Sequence, residues 1–230
     1  MYQKKRYVRF GTVFGIRKNK REGHSMKLYL VRHGETDWNV KKKIQGQTDI
    51  PLNPNGVRQA KELAAELARD PGITVRHVYH SPQIRAAETA YICSEALHAT
   101  CIPAAGLAEM NLGIWEGSNW RVIERENSQA YQDWIRNRRY VRTPEGESYN
   151  DLLKRVLDTM GGIIRKEAGE DVLIVTHSAV IMVLRCYIAG YPFDEMARIF
   201  KTRNAEAVML ESFKILDAIE RFRKEAGQDK

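Results

Sequence analysis

The stretch Lys27-Leu28-Tyr29-Leu30-Val31-Arg32-His33-Gly34-Glu35-Thr36 decides the fold. Its first five residues read as a strand, and that strand ends without a spacer on a basic, glycine-containing turn. In open α/β sheets ligands gather beyond the carboxyl ends of the strands, so an Arg-His pair at this junction stands where chemistry is expected.

Working outward, the same junction recurs. His177 follows a strand expected at 171–176, and Arg85 follows one at 75–80, in the first turn of a helix that starts at Ser81-Pro82. Further strands are expected at 100–103 and 205–211, and helical patterns alternate with them throughout, the signature of an α/β domain. The helix at 54–69 opens on Asn53-Pro54 and carries Val57, Ala60, Leu63, Ala64 and Leu67 on one face. The helix after Pro82 is expected to turn Ile84, Ala87 and Tyr91 inward. A third, after Thr143-Pro144-Glu145-Gly146, presents Leu152, Leu153, Val156, Met160, Ile163 and Ile164. The almost wholly apolar helix at 178–189 should be buried, and Phe213, Leu216, Ile219 and Phe222 outline a final amphipathic helix. Residues 112–142, rich in Trp, Arg and Asn, read as short helices lying over the rest as a cap.

Composition bounds the function. The 230 residues, 43% hydrophobic and 29% charged, suit one globular domain with a core that needs neither disulfide nor metal. Cys93, Cys101 and Cys186 are odd in number and form no C-x-x-C pair, which excludes a zinc ribbon or disulfide framework and fits reduced thiols in the cytoplasm. The apolar runs at 172–175 and 180–184 are far too short to span a membrane. The net charge of +8 is local: residues 1–25 hold eight basic side chains against Glu22, leaving only +1 on residues 26–230. Nucleic-acid binding would therefore rest on the tail alone. That tail shows no periodicity and reads as a disordered basic arm, a targeting segment or translated leader, the last being preferred because Met26 directly precedes the first strand. The folded unit expected is thus a single domain at 26–230.

Three junctions deliver Arg32, His33, Arg85 and His177 to one sheet edge. A cation in a helix's first turn opposes the macrodipole at about 0.3–1 kcal/mol, a cost that a bound anion beside Arg85 would reverse. Arg32 offers a second guanidinium fork matched to phosphoryl oxygens. His33, His177 and Glu109 formally make a zinc ligand set, but two arginines aimed at the same point oppose a divalent cation. Phosphoryl transfer uses all four basic groups.

At this point the residues resemble a family. Arg32-His33-Gly34-Glu35-Thr36 with Trp38-Asn39, Gln45-Gly46 with Asp49, Pro51-Leu52 and Gly56 come first. Ser81-Pro82 through Arg85-Ala86 and Thr89-Ala90 follow, then Glu109 leading to Gly113-Ile114-Trp115-Glu116-Gly117, Gly146-Glu147-Ser148, and Val175-Thr176-His177. Over residues 26 to about 211 this order is similar to the histidine phosphatase superfamily, also called phosphoglycerate-mutase-like. The resemblance implies a three-layer α/β/α sandwich with a mostly parallel sheet and a small helical cap. It implies His33 as nucleophile, attacking phosphorus through one ring nitrogen while the other donates to a backbone carbonyl. Arg32, Arg85 and His177 would hold the phosphoryl oxygens with Asn39 assisting, and Glu109 would act as acid and then base. A glutamate among cations tends to a low pKa, so desolvation must raise it. No metal or organic cofactor is implied.

Ser178 stands where the family usually has glycine; it keeps the backbone N–H that can face an anion, so activity should survive with altered packing. His24, His77, His80 and His98 match no motif and read as structural. The 68-residue step from Glu109 to His177 resembles the compact phosphatases rather than the mutases. The expected partner is a small phosphomonoester, with no membrane, and the assembly a monomer or homodimer. Phosphoglycerate mutase, a specific α-ribazole-phosphate phosphatase and a non-catalytic phosphoester-binding protein are the alternatives. Trp115, Trp120, Tyr131 and Trp134 either wall a pocket or form the cap's core, the second being preferred.

Overall fold

The computed structural model describes residues 7–9 and 25–228. In chain order the elements are β1 (Tyr7–Arg9), β2 (Lys27–Arg32), α1 (Asp37–Val40), α2 (Pro54–Arg69), β3 (His77–His80), α3 (Ile84–Leu97) and β4 (Thr100–Pro103). They continue with α4 (Trp120–Glu126), α5 (Ser128–Arg136), α6 (Tyr149–Glu167), β5 (Val172–Thr176), α7 (Ser178–Ala189), α8 (Met196–Ile199), β6 (Ala207–Glu211) and α9 (Ser212–Gln228). The sheet order is β1-β6-β2-β5-β3-β4, and only the β2–β6 pairing is antiparallel. Apart from β1, most of the basic tail lies outside the described residues.

Strand alternation divides the core in two. Leu28, Leu30, Val172 and Ile174 face the layer that contains α6, α7 and α9, while Tyr29, Val31, Leu173 and Val175 face α2 and α3. Helices on both faces make a three-layer α/β/α sandwich, and β5 at its centre is buried at every position. The expected strand at 205–211 begins only at Ala207, because Ala205 adopts a left-handed φ of 50°.

Two helix faces differ from the sequence reading. In α3, which begins at Ile84 rather than Pro82, Ile84 and Tyr91 are exposed and Ala87 is half-buried; Arg85, Ala86, Thr89, Ala90 and Cys93 face inward. Small residues face inward because α3 packs closely on α2, whose own contact face carries Ala60 and Ala64. In α9, Phe213 and Leu216 are exposed and Ile215, Ala218 and Ile219 are buried. Ile215, Ala218, Ile219 and Phe222 stand at i, i+3, i+4 and i+7, a truer helical stripe than steps of three.

In the cap, Trp115 and Trp134 are buried, meeting edge to face at 5.5 Å, with Tyr131 packed against the same core. Trp120 stacks on Trp134 at 5.4 Å but is 40% exposed, so it lies at the edge of that core.

The turn after β2 is fastened to both α2 and α3. Gly34 N–H donates to Thr89 Oγ1 at 3.0 Å, and Glu35 accepts the side-chain amides of Asn53 and Asn55. Backbones meet without side chains between them: a Cβ on Gly56 would lie 2.0 Å from the Glu35 carbonyl oxygen. Gly56→Ala is therefore expected to cost about 1–3 kcal/mol, seen in thermal denaturation as a Tm lowered by roughly 3–10 °C in a chain of this size.

Candidate active site

Backbone registry brings the junctions together. His33 N–H donates to Thr176 O at 3.0 Å, and Ser81 N–H donates to Val175 O at 3.0 Å, so the ends of β2, β5 and β3 are stitched side by side. The rings of His33 and His177 lie 5.1 Å apart.

His33 is buried, and its Nδ1 pairs with Gly34 O at 2.6 Å. A carbonyl only accepts, so Nδ1 carries the hydrogen and Nε2 keeps its lone pair. Burial, then the charges of Arg32 and Arg85, hold the imidazole well below its usual pKa, so it is neutral at pH 7. His177 is likewise buried and depressed, by burial first and then Arg85 and His33. Its Nε2 meets Ser81 Oγ at 2.7 Å, and the Ser81 hydroxyl donates onward to Gln83 Oε1 at 3.0 Å. Nε2 is thus the donor, and Nδ1 is sealed in without a protein partner.

Arg85 is fully buried, and among the described residues no carboxylate pairs with it. Nη1 donates to Thr48 O at 2.8 Å and Nη2 to Gly46 O at 2.7 Å, while Nε has no acceptor. Arg32 Nη1 donates to Thr202 O at 2.7 Å, and its Nε is also orphaned. Burial lowers the pKa of both guanidiniums. Arg32 Nε and Arg85 Nε are therefore two buried donors that an anion with several oxygens would satisfy, whereas His177 Nδ1, which carries the lone pair in this tautomer, could pair with an anion only after taking up a proton.

Glu109 is half-buried, between the two arginines electrostatically and against the start of α7. Burial pushes its carboxyl above the ordinary range, outweighing the Met110 N–H at 2.9 Å and the charge of Arg85. Asn39 Oδ1 accepts from Thr36 N–H and from Asn204 Nδ2, which leaves its NH2 as the free donating end. Ser178 is half-buried as the first residue of α7. Among the described residues no three His, Cys, Asp or Glu side chains converge as a metal-ligand set, so His33, His177 and Glu109 are not one.

Residues 28–221 match the family model described as histidine phosphatase superfamily (branch 1). The chain belongs to that superfamily. The Probable phosphoglycerate mutase GpmB of Yersinia pestis (strain Pestoides F) is 35% identical over 167 residues, 73% of this chain and 76% of that protein. The solved structure of Bacillus stearothermophilus YhfR superposes with a TM-score of 0.72 at 31% identity, covering 80% of this chain and 90% of its own. The α-ribazole phosphatase of Shigella flexneri superposes at 0.69 with 27% identity, over 80% and 89% of the two chains.

Within this histidine phosphatase, three supporting residues had no role in the sequence reading. Gln83 Oε1 accepts from Ser81 and from Glu109 N–H at 2.8 Å, while its Nε2 donates to Gly46 O, joining His177, Glu109 and Arg85 in one network. Arg155 clamps Glu147 with two N–H groups and donates to the carbonyls of Gly106, Ala108 and Glu109. An arginine inside the apolar stripe of α6 was its only signal. Asn204 donates to His33 O at 3.1 Å and Gly34 O at 3.2 Å, and nothing local to its own sequence marks it. His77 pairs with Glu167 at 2.6 Å, His80 with Ser81 O at 2.8 Å, and His98 caps α3; all three are structural, and His24 lies outside the described residues.

Glu116 shapes the loop that holds Arg85. Its carboxylate accepts from Gln47 N–H, Thr48 N–H, the Thr48 hydroxyl and Leu112 N–H within 3.1 Å. Removing that charged acceptor forfeits about 1.5–3 kcal/mol per bond at the upper limit of independence. Glu116→Ala is expected to weaken inorganic phosphate binding by about tenfold or more, read by calorimetry, because one bond's worth already exceeds 1.4 kcal/mol.

Proposed function

We propose that this chain is a metal-independent phosphatase that hydrolyses small phosphomonoesters through a phosphohistidine intermediate on His33. The observation that carries the reading is the Nδ1–Gly34 O bond of 2.6 Å on a ring kept neutral, which makes Nε2 the attacking atom. In the first step the Nε2–phosphorus bond forms, the ester P–O bond breaks, and Glu109 gives its proton to the leaving oxygen. Arg32, Arg85 and His177 hold the three non-bridging oxygens, with Asn39 and the Ser178 backbone N–H beside them. In the second step Glu109 takes a proton from water, whose oxygen displaces Nε2, releasing inorganic phosphate.

The raised pKa of Glu109 supports the acid role, and a protein that only bound phosphoesters would need no acid there. A second reading, phosphoglycerate mutase, draws on the 35% identity to GpmB. Against it, the cap holds only the short helices α4 and α5, less cover than a mutase needs to keep water from the intermediate. An α-ribazole phosphatase is the corresponding narrow reading, by likeness to the Shigella flexneri structure.

The full chain is expected to turn over p-nitrophenyl phosphate in excess EDTA, and His33→Ala to lose that turnover. Loss of activity in EDTA would overturn metal independence. Conversion of 3-phosphoglycerate only with a bisphosphate primer would identify a mutase.

The pH dependence follows from the two shifts. His33 must be neutral, and its pKa lies below 6.5, so activity rises as pH passes that lowered value. Glu109 must be protonated, and its pKa lies above 4.5, so its contribution fades as pH passes that raised value. Glu109→Gln is expected to slow alkyl phosphate hydrolysis by about 10²- to 10⁴-fold. The wild-type to variant rate ratio should shrink as pH climbs, a comparison that cancels ionisation of the substrate.

A further inference from the structure

A cavity of about 600 Å³ opens between the turn after α5, the turn after α7 and one face of α9, and none of the residues proposed for catalysis lines it. Its lining contains Arg136, Arg138, Arg139 and Arg221 against only two acids, Asp194 and Glu225. One of those acids is already engaged: Glu225 accepts from Arg139 and, at 3.0 Å, from the Tyr187 hydroxyl. Arg139 is further enclosed by the rings of Tyr140, Tyr187 and Phe193, and Arg221 lies 4.2 Å over Tyr187.

Arg138 is different. Its guanidinium lies 4.8 Å over the Trp134 ring, its Nε is sealed from solvent without an acceptor, and among the described residues no carboxylate pairs with it. A planar cation flattened on an aromatic face keeps its outer edge free for two parallel hydrogen bonds to an anion. Arg136 beside it has only a 3.9 Å contact to Asp133, on a largely exposed side chain. Tyr140 and Tyr191 stand at the mouth, 58% and 43% exposed, in a cavity whose volume suits a small organic ligand.

We propose that this cavity is a second ligand site, separate from the catalytic pocket, for a small anion with an aromatic body. The anionic group pairs with Arg138 and Arg136, and the ring packs against Tyr140 and Tyr191. Both parts are required: the arginines alone would take any anion weakly, and the tyrosines supply selectivity for a flat group.

Phenylphosphonate tests this, because its C–P bond is not an ester and it offers both a ring and a dianion. Calorimetry on the full chain is expected to give two bound equivalents, whereas methylphosphonate, lacking the ring, gives one. Arg138→Ala and, separately, Tyr191→Ala are expected to weaken the second phenylphosphonate equivalent at least tenfold while methylphosphonate still fills one. Tyr191 is exposed and lies outside the cap's core, so its variant decides the matter should Arg138→Ala disturb folding. One equivalent of phenylphosphonate in the wild type, or a second equivalent that Tyr191→Ala leaves unweakened, would overturn the proposal.

Discussion

The site depends on a guanidinium that is buried with no carboxylate paired to it among the described residues. Arg85 is wholly enclosed and held by the carbonyl oxygens of Gly46 and Thr48. Carbonyl dipoles fix its direction, and the charges of Glu109, Asp49 and Glu116 offset its own only through space, so the pocket keeps a demand for an anion. A carboxylate partner would have improved the protein's own electrostatics and removed that demand. Much of the surrounding structure follows from holding those two carbonyls still. Glu116 gathers the N–H groups of their loop, and Gln83 shares Gly46 O with Arg85. The left-handed φ of Gly46 and the Glu116 oxygen 2.0 Å from any Cβ there leave room for glycine only.

The same burial acts in opposite directions on neighbouring groups. It depresses His33 and His177, whose charged forms are cationic, and raises Glu109, whose charged form is anionic. A depressed imidazole and a raised carboxyl therefore stand in one pocket. The arginines reinforce the first effect and oppose the second, and for Glu109 desolvation wins. His177 is the remaining variable: with Nε2 committed to Ser81, Nδ1 is the ring atom left over, and under the proposed function it would need a proton to hold a phosphoryl oxygen.

Support for this chemistry comes from distant parts of the chain that meet only on folding. Arg155 on α6 holds the Glu109 carbonyl, Asn204 before β6 holds the carbonyls of His33 and Gly34, and Thr89 on α3 holds the Gly34 amide. The aromatic cluster above them is closed upon itself, Trp115 against Trp134 and Trp134 against Trp120, so the cap is a packed body and not a loose flap. Arg138, lying over Trp134, also lines the cavity beside α7 and α9.

The alternation of strands and helices, the boundaries of α2 and α7, and the delivery of Arg32, His33, Arg85 and His177 to one edge were legible in sequence, because each depends on local periodicity or on a residue's place after a strand. Inward faces were less so. In α3 the large residues Ile84 and Tyr91 point outward, since close approach to α2 rewards alanine over bulk. In α9 two overlapping stripes were possible, and packing against α6 selected Ile215, Ala218 and Ile219. Gln83 and Asn204 carried no functional signal, and Arg155 only its place on the apolar helix α6, because a hydrogen-bond partner 26 to 171 residues away is invisible to local pattern. The sequence by itself determined which groups can do the chemistry. The tertiary structure alone decided which way their pKa values shift and where they point, because burial and the orientation of carbonyl groups exist only once the chain has folded.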